Sequence, residues 1–310
     1  MSDWLVGAYG ADMDGSAPGI CKLRSKADGS LEVVEGFLIE ALSPAFLARS
    51  PFGLLAALEG EQAVLEVGGT TWPSGGTWPC HIGVYGDDVV VSNYFEGNLG
   101  LRTGQVVAPE RGSGPHPSQN GPHAHSTAEI AAGVILSADL GADRIGIHSL
   151  VNGVLTRTGS HALRPGTGPR DLLVAGSLLY ILGEHSGTVV VAEWIDGTLV
   201  LLDEVPVVGA ADGDQAAALV LANGFLYTLL RGSNQLATLR VSDDGRVVEG
   251  LGAVPTGGDW PRHLVLDDRF LHVANQRSST VTTFAIGGGG FPVPVGEPCA
   301  TPSPTYLLLD

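Results

Sequence analysis

A repeat of roughly 45 residues runs along this chain of 310 residues and limits the folds that it can adopt. One copy reads PRDLLVAGSLLYILGEHSGTVVVAEWIDGTLVLLDE from Pro169, and another reads PRHLVLDDRFLHVANQRSSTVTTFAIGGGG from Pro261. Each copy holds four short, β-branched apolar segments closed by Gly, Asp or Asn, which is typical of β-strands. In an all-β chain, this period predicts the four-stranded blades of a β-propeller.

The number of blades follows from where the repeats begin. The starts lie near Pro44, Pro79, Ala124, Pro169, Ala216, Pro261 and Pro304. The last start leaves room for one strand, while residues 1–40 supply three strand-length segments that lack a first strand. We therefore predict one domain, residues 1–310, as an all-β, seven-bladed β-propeller whose ring closes when the C-terminal strand, within 303–310, pairs with the N-terminal strands. A β-sandwich would explain neither the period nor the split repeat.

The charge of the chain excludes several classes of partner. It has 33 Asp and Glu residues against 16 Lys and Arg residues, a formal net charge of −17. Nucleic acids and acidic membranes attract clustered basic side chains, so we expect neither as a partner. The chain has no apolar run of transmembrane length and begins without the pattern of a signal peptide, so we expect a soluble cytoplasmic monomer.

Two sets of positions are expected to meet at the mouth of the propeller channel, because inner strands begin and second strands end on the same face. The inner strands begin with Ala45, Cys80, His125, Arg170, Ala217, Arg262 and Thr305. The second strands of blades one to six end with Glu59, Tyr94, Leu140, Glu184, Arg231 and Gln276. Arginines that converge in this way suit a carboxylate or phosphate, which predicts a small anionic ligand. Ion pairs of Glu184 with Arg170 and Arg231 are the alternative explanation.

The segment GSGPHPSQNGPHAHS, residues 112–126, is predicted to be a long loop between blades that brings His125 to the same rim. A histidine titrates near neutral pH, so His125 is a candidate general base or electrophilic donor. His123 and His125 could also bind a metal ion, and His123 could instead cap the loop by hydrogen bonding. No third ligand of recognisable spacing accompanies the two histidines, and we expect neither a metal nor another cofactor.

With this loop, and with the supporting segments ADLGADRI, WPCHIGV, GTGPRDL, WPRHLVL and HVANQRSSTVTTF, the chain resembles the seven-bladed propeller lactonases of the 6-phosphogluconolactonase type. That family includes the carboxy-muconate cyclases. The resemblance implies a metal-independent carboxylic ester hydrolase that opens a sugar lactone with water. It supports His125, Arg170, Glu184 and Arg262 as catalytic candidates, with His125 or Glu184 expected to activate water and the arginines expected to hold the anionic group and stabilise the oxyanion. Candidates for substrate contacts are Arg231, His123, Glu59, Tyr94 and Gln276.

Two departures from the family pattern lie near these residues. The asparagine that usually precedes the end of the second strand is replaced by Gly183 in blade four and by Leu230 in blade five. We expect this loss to affect the choice of substrate.

Two other functions stay open at this level. A lactonising cyclase acting on a muconate-type dicarboxylate would use the same arginines. A non-catalytic propeller would instead bind a protein partner through an exposed patch, for which Trp72, Trp78, Tyr94 and Phe95 are candidates.

Overall fold

The structure is a computed structural model that describes residues 2–267 and 270–310. Within these residues, 28 β-strands form seven antiparallel sheets of four strands each. The N-terminal strands are β1 (Asp3–Ala8), β2 (Gly19–Ser25) and β3 (Leu31–Glu40). Short 3₁₀ turns occur at Ala11–Met13 and Gly288–Gly290. This arrangement confirms the predicted seven-bladed propeller.

The next three blades follow one another along the chain, each from its inner strand outward. Blade one contains β4 (Pro44–Ser50), β5 (Gly53–Leu58), β6 (Ala63–Glu66) and β7 (Thr71–Pro73). Blade two contains β8 (Pro79–Tyr85), β9 (Asp88–Asn93), β10 (Asn98–Leu101) and β11 (Val106–Val107). Blade three contains β12 (Ala124–Ala131), β13 (Val134–Asp139), β14 (Arg144–Val151) and β15 (Val154–Ala162).

The remaining blades keep this order, and the last one joins the two ends of the chain. Blade four contains β16 (Pro169–Ala175), β17 (Leu178–Gly183), β18 (Thr188–Ile195) and β19 (Thr198–Pro206). Blade five contains β20 (Gln215–Ala222), β21 (Phe225–Arg231), β22 (Gln235–Val241) and β23 (Val248–Pro255). Blade six contains β24 (Pro261–Asp267), β25 (Phe270–Asn275), β26 (Thr280–Ile286) and β27 (Pro292–Ala300). Blade seven pairs β28 (Pro304–Leu309) with β1, as predicted for ring closure.

The hydrophobic core is divided among the interfaces between consecutive blades. Seven clusters of buried apolar side chains are present in the described residues, one for each pair of neighbouring blades. The cluster between blades seven and one includes Leu5, Ile20 and Leu47, and thus packs the closing blade onto its neighbour. Since each sheet is covered on both faces, its central strands are apolar throughout rather than alternating, as in DVVVSN and LLYILG.

Tight turns reverse the chain on the faces of the disc. Asn152–Gly153, Asp196–Gly197 and Asn223–Gly224 all have positive φ at both residues. That conformation matches the type I′ turn, whose twist fits two adjacent antiparallel strands and which favours Asn-Gly and Asp-Gly. These dipeptides therefore explain where the strands end, and the inner-strand turn at Asn223–Gly224 lies at the opposite end of β20 from the channel mouth.

Four buried or half-buried histidines make the stability of the protein depend on pH. Burial lowers the pKa of His81, His148 and His272 to about 4 and that of His263 to about 3. Below about pH 6.5 the unfolded chain binds protons at these side chains and the folded chain does not, so the free energy of unfolding should fall from there towards pH 4. We expect a loss of up to about 1.4 kcal/mol per pH unit for each histidine, measured by urea denaturation at pH 7, 6 and 5.

A free energy of unfolding that stays constant between pH 7 and 5 would contradict this expectation. The variant His148→Gln offers a more specific check, because it removes one of these titrating groups. Its stability should depend less steeply on pH than that of the unmodified protein, even if the variant is less stable at pH 7.

Candidate active site

A β-bulge near the start of each inner strand turns one side chain into the channel. In every blade of the described chain, the pairing of the inner strand shifts by one residue at this point. The skipped residue has no partner in the ladder, which frees its side chain from the alternation of the strand. The bulged residues are Ala45, Cys80, His125, Arg170, Ala218, Arg262 and Thr305.

Six of these seven residues are those expected from the sequence, and blade five differs. There β20 begins at Gln215 and the bulge falls on Ala218, which has a φ of 59°. The predicted position, Ala217, is paired with Leu229 and fully buried, so it does not face the channel. The start of β20 lacks the proline that marks the start of most inner strands. The position predicted for its bulge is therefore one residue too early.

The bulged side chains surround a central cavity of about 240 Å³. Four of the predicted site residues line it, namely Glu59, His125, Arg170 and Arg262. The residue after each bulge also contributes to the wall; these are Phe46, His81, Ser126, Asp171, Leu219, His263 and Tyr306. The rings of Phe46 and His263 pack on that of Tyr306, with centroid distances of 4.1 and 3.9 Å. This part of the cavity wall is therefore aromatic.

Glu184 lies between two arginines just outside the residues that line the cavity. Its Oε2 atom is 2.6 Å from Nη1 of Arg170 and 2.6 Å from Nη2 of Arg231. All three side chains are at most 10% exposed. Although burial opposes ionisation, the two guanidinium groups hold the pKa of Glu184 far below its usual range, so the carboxylate stays charged. Burial, partly offset by Glu184, lowers the pKa of Arg231 to about 9.

Arg262 has a different environment. Its Nη1 donates to Oε1 of Gln276 at 3.3 Å, and its guanidinium lies 4.8 Å from the ring centroid of Tyr9. Tyr9 in turn donates its hydroxyl proton to Oε2 of Glu59 at 2.8 Å. Among the described residues, no carboxylate lies within ion-pair distance of Arg262, so its charge is available to a ligand.

Tyr9 was missed by the sequence analysis, although a signal for it exists. It directly follows β1, the second strand of blade seven, and so occupies the position that Glu59 and Glu184 occupy in their own blades. The series of strand-end positions expected from the sequence covers blades one to six only. Extending it to the blade that is split between the chain ends identifies Tyr9.

The histidines of the long loop have separate environments. Nδ1 of His123 is 2.9 Å from the carbonyl oxygen of Tyr94 and Nε2 is 3.1 Å from Oδ1 of Asn120, while its ring stacks on that of Tyr94 at 4.5 Å. His123 thus anchors the loop. The His125 ring is nearly perpendicular to that of Tyr94, with the two ring centroids 6.2 Å apart, and His125 lines the cavity. Burial, reinforced by Arg170, lowers the pKa of His125 well below its usual range, so the imidazole is neutral.

The asparagines retained in other blades do not reach the cavity. The Asn93 side chain donates to the carbonyl oxygen of Ser74 and to Asn98, and that of Asn275 donates to Thr282. Both are fully buried within their blades. At the equivalent Gly183, an added Cβ would meet Ser186 Oγ at 2.3 Å. The retained asparagines thus order the turns of their blades, and the effect of their loss on the choice of substrate stays a prediction.

The described residues contain no group of three or more His, Cys, Asp or Glu side chains that could hold a metal ion. None of the helices described in the structure is long and apolar enough to cross a membrane.

Comparison with known proteins agrees with this architecture. The sequence matches the family model described as "Lactonase, 7-bladed beta-propeller" over residues 4–309. The chain belongs to the seven-bladed β-propeller lactonase family. The resemblance inferred from the loop and the repeats is thereby confirmed.

Two curated relatives share 30% of their residues with this chain in the matched regions. The 6-phosphogluconolactonase of Bacillus subtilis is 30% identical over 234 residues, which are 67% of this chain and 66% of that protein. An uncharacterised protein of Staphylococcus aureus is 30% identical over 213 residues, which are 65% of this chain and 62% of that protein. The matched region thus spans just under two thirds of these curated relatives.

Solved structures share the lactonase fold over the whole chain. A Lactobacillus plantarum protein has a TM-score of 0.86 at 24% identity and 99% coverage of both chains. The periplasmic gluconolactonase of Pseudomonas aeruginosa also has a TM-score of 0.86 at 24% identity, with 99% of this chain and 98% of that one covered. At this identity, the similarity establishes the fold alone.

Proposed function

We propose that the protein hydrolyses a small sugar lactone in the central cavity. The observation that carries the proposal is the convergence of a neutral His125, Arg170, Arg262 and Glu59 on one cavity in a member of a lactonase family. A lactone is a cyclic ester, and its hydrolysis passes through an oxyanion that positive or hydrogen-bond-donating groups stabilise. The cavity offers such groups from separate blades of a rigid ring.

Each residue is assigned a role from its contacts. Arg262, which has no carboxylate within ion-pair distance among the described residues, is proposed to stabilise the oxyanion together with Arg170, which lines the same cavity. His125 is proposed to hydrogen-bond to the substrate as a neutral imidazole, consistent with its lowered pKa. Glu184 is proposed to hold Arg170 and Arg231 in place rather than to act on water, because both guanidinium groups already lie at 2.6 Å from its Oε2.

The charges around the cavity favour an unphosphorylated substrate. Arg170 is paired with Glu184, which leaves Arg262 as the cavity-lining guanidinium without a carboxylate partner in the described chain. Glu59 and Asp171 line the same cavity. Burial raises the pKa of both groups, but a carboxylate in its charged form repels a phosphate dianion, so we propose a neutral lactone in place of the predicted small anionic one. The dicarboxylate of a muconate-type cyclisation is disfavoured for the same reason.

The test compares gluconolactone with 6-phosphogluconolactone, the substrate suggested by the name of the B. subtilis relative. We expect gluconolactone to have the higher kcat/KM, by about tenfold, which corresponds to about 1.4 kcal/mol. A higher kcat/KM for the phosphorylated lactone would show that the charge argument is wrong. No hydrolysis of either lactone, together with a protein partner that co-purifies in stoichiometric amount, would favour a binding function.

We further propose that the reaction uses no metal ion. The lack of a three-ligand group among the described side chains supports this proposal. Hydrolysis should be unchanged after dialysis against a chelator, and activity that is lost and then restored by a divalent metal would contradict it.

A further inference from the structure

We propose that Glu59 is the residue that activates water and that Tyr9 is the positioning residue that orients it. This inference rests on the proposed lactone hydrolysis and adds the group that the reaction still lacks. A general base must lie within reach of the reacting water and must be able to accept a proton. Asp171 also lines the cavity, but both of its carboxylate oxygens already accept backbone N–H groups. Burial lowers the pKa of His81 to about 4 and that of His263 to about 3, so these two imidazoles are weak bases. Glu59 meets both requirements.

The position of Glu59 satisfies the geometric requirement. It directly follows β5, is 8% exposed and lines the cavity together with Arg262. Its backbone N–H donates to the carbonyl oxygen of Ser43 at 3.1 Å, which fixes the chain at this point. The Tyr9 hydroxyl occupies Oε2, and in the described residues Oε1 receives no hydrogen bond, so one carboxylate oxygen is available for a water molecule.

Tyr9 is placed to control Glu59 and Arg262 together. It comes from blade seven, is 6% exposed and bonds to Glu59 across the interface with blade one. The face of its ring lies against the Arg262 guanidinium at 4.8 Å, a favourable cation–π distance. One side chain thus orients the carboxylate that would take the proton and the cation that would face the oxyanion.

The other two candidates are less suited to this task. Glu184 does not line the cavity, and its Oε2 is shared by two guanidinium groups that hold its pKa far below the usual range. The pKa of His125 is lowered well below neutrality by burial and by Arg170. Burial instead raises the pKa of Glu59, although Arg262 and Tyr9 oppose this effect, and a raised pKa makes a carboxylate a stronger base.

The charged and titratable groups around Glu59 come from several blades. They are Tyr9, Asp12, Cys80, Arg170 and Arg262. The two arginines and the tyrosine hydroxyl favour the charged carboxylate, whereas Asp12 disfavours it. Cys80 is neutral, because burial raises its thiol pKa far above the usual range. We therefore assign to Glu59 the loss of kcat/KM that is expected as the pH is lowered.

In the proposed step, water attacks the lactone carbonyl while Glu59 accepts the proton. As the water oxygen bonds to the lactone carbonyl carbon, one water proton passes to Glu59 and the carbonyl π electrons move to oxygen, opposite Arg262. When the carbonyl re-forms, the bond between that carbon and the ring oxygen breaks, and the ring oxygen takes the proton back from Glu59. The product is the open hydroxy acid, which then releases its carboxylic proton to solvent.

The experiment measures gluconolactone hydrolysis across pH for three variants. Glu59→Gln should lower kcat by about 10²–10⁴-fold with little change in KM. Tyr9→Phe should move the acidic limb of kcat/KM upward by about 1 pH unit, because it removes a hydrogen bond that stabilises the charged carboxylate. Tyr180→Phe is the matched control: Tyr180 is also buried and its hydroxyl donates to the carbonyl oxygen of Gly245, away from the cavity, so its pH profile should be unchanged.

The outcomes separate this inference from the proposed function. If the unmodified protein hydrolyses the lactone and Arg262→Ala abolishes hydrolysis while Glu59→Gln does not, the lactonase proposal stands and the assignment of Glu59 is wrong. An acidic limb that is identical in Tyr9→Phe and the unmodified protein would overturn the role of Tyr9. If the unmodified protein has no lactonase activity, both proposals fail. A carboxyl band in infrared difference spectra that titrates at raised pH, and that is lost in Glu59→Gln, provides a readout besides activity and supports the raised pKa.

Discussion

Replacement of Arg262 by alanine should lower kcat for lactone hydrolysis by about 10²–10³-fold while leaving the fold intact. Arg262 lines the cavity, and no carboxylate within ion-pair distance neutralises it among the described residues. Its interaction with substrate should therefore strengthen as negative charge develops on the carbonyl oxygen, so the loss is expected in kcat rather than in KM. Steady-state kinetics with gluconolactone measure both constants.

Arg277→Ala is the matched control for this variant. Arg277 is exposed and lies at 3.6 Å over the ring of Trp260, close to Arg262 in sequence but not part of the cavity wall. Its removal should leave kcat unchanged. An equal loss of kcat in the two variants would indicate a general effect of removing a positive charge. An unchanged kcat in Arg262→Ala would show that this arginine does not face the oxyanion.

The strand that closes the ring should have the largest effect on stability. Leu307 on β28 is 1% exposed and packs with Trp4 and Val6 of β1 and with Ala274 of blade six. Leu307→Ala should lower the free energy of unfolding by about 2–5 kcal/mol, as expected for a buried leucine. Deletion of residues 304–310 should abolish cooperative unfolding altogether, because β1 then becomes an open edge and blade seven loses its inner strand.

Leu309→Ala provides the control on the same strand. Leu309 is 50% exposed, so its removal should change the free energy of unfolding by no more than about 0.5 kcal/mol. Urea denaturation followed by circular dichroism measures all of these values. A cooperative transition of normal midpoint in the truncated protein would show that ring closure contributes little.

The ring could be predicted from the sequence because its determinants are local and repeated. Apolar segments and turn residues recur at a fixed period, and the split unit at the chain ends identifies the closing blade. The single shift, from Ala217 to Ala218, arose in the one inner strand that starts with neither a proline nor the His123–His125 segment. Without such a marker, the position of a bulge depends on how the strand pairs with its neighbour.

The candidate site was less accessible to sequence reasoning, because its chemistry depends on which side chains touch. The sequence allowed ion pairs of Glu184 with Arg170 and Arg231 as an alternative, but it did not indicate that both guanidinium groups share one carboxylate oxygen. Likewise, nothing local indicates that the Tyr9 hydroxyl bonds to Glu59, since the two residues lie 50 positions apart and in different blades. These contacts decide which groups remain free for a substrate.

The bulges described above separate the residues that determine chemistry from those that determine stability. A bulged residue has no ladder partner, so exchanging its side chain need not break a hydrogen bond of the sheet. Three consecutive blades, seven, one and two, present the small side chains of Thr305, Ala45 and Cys80. Single substitutions at these three positions could therefore enlarge or fill this side of the cavity. The same fold could then accept lactones of another size while His125, Arg170 and Arg262 stay in place.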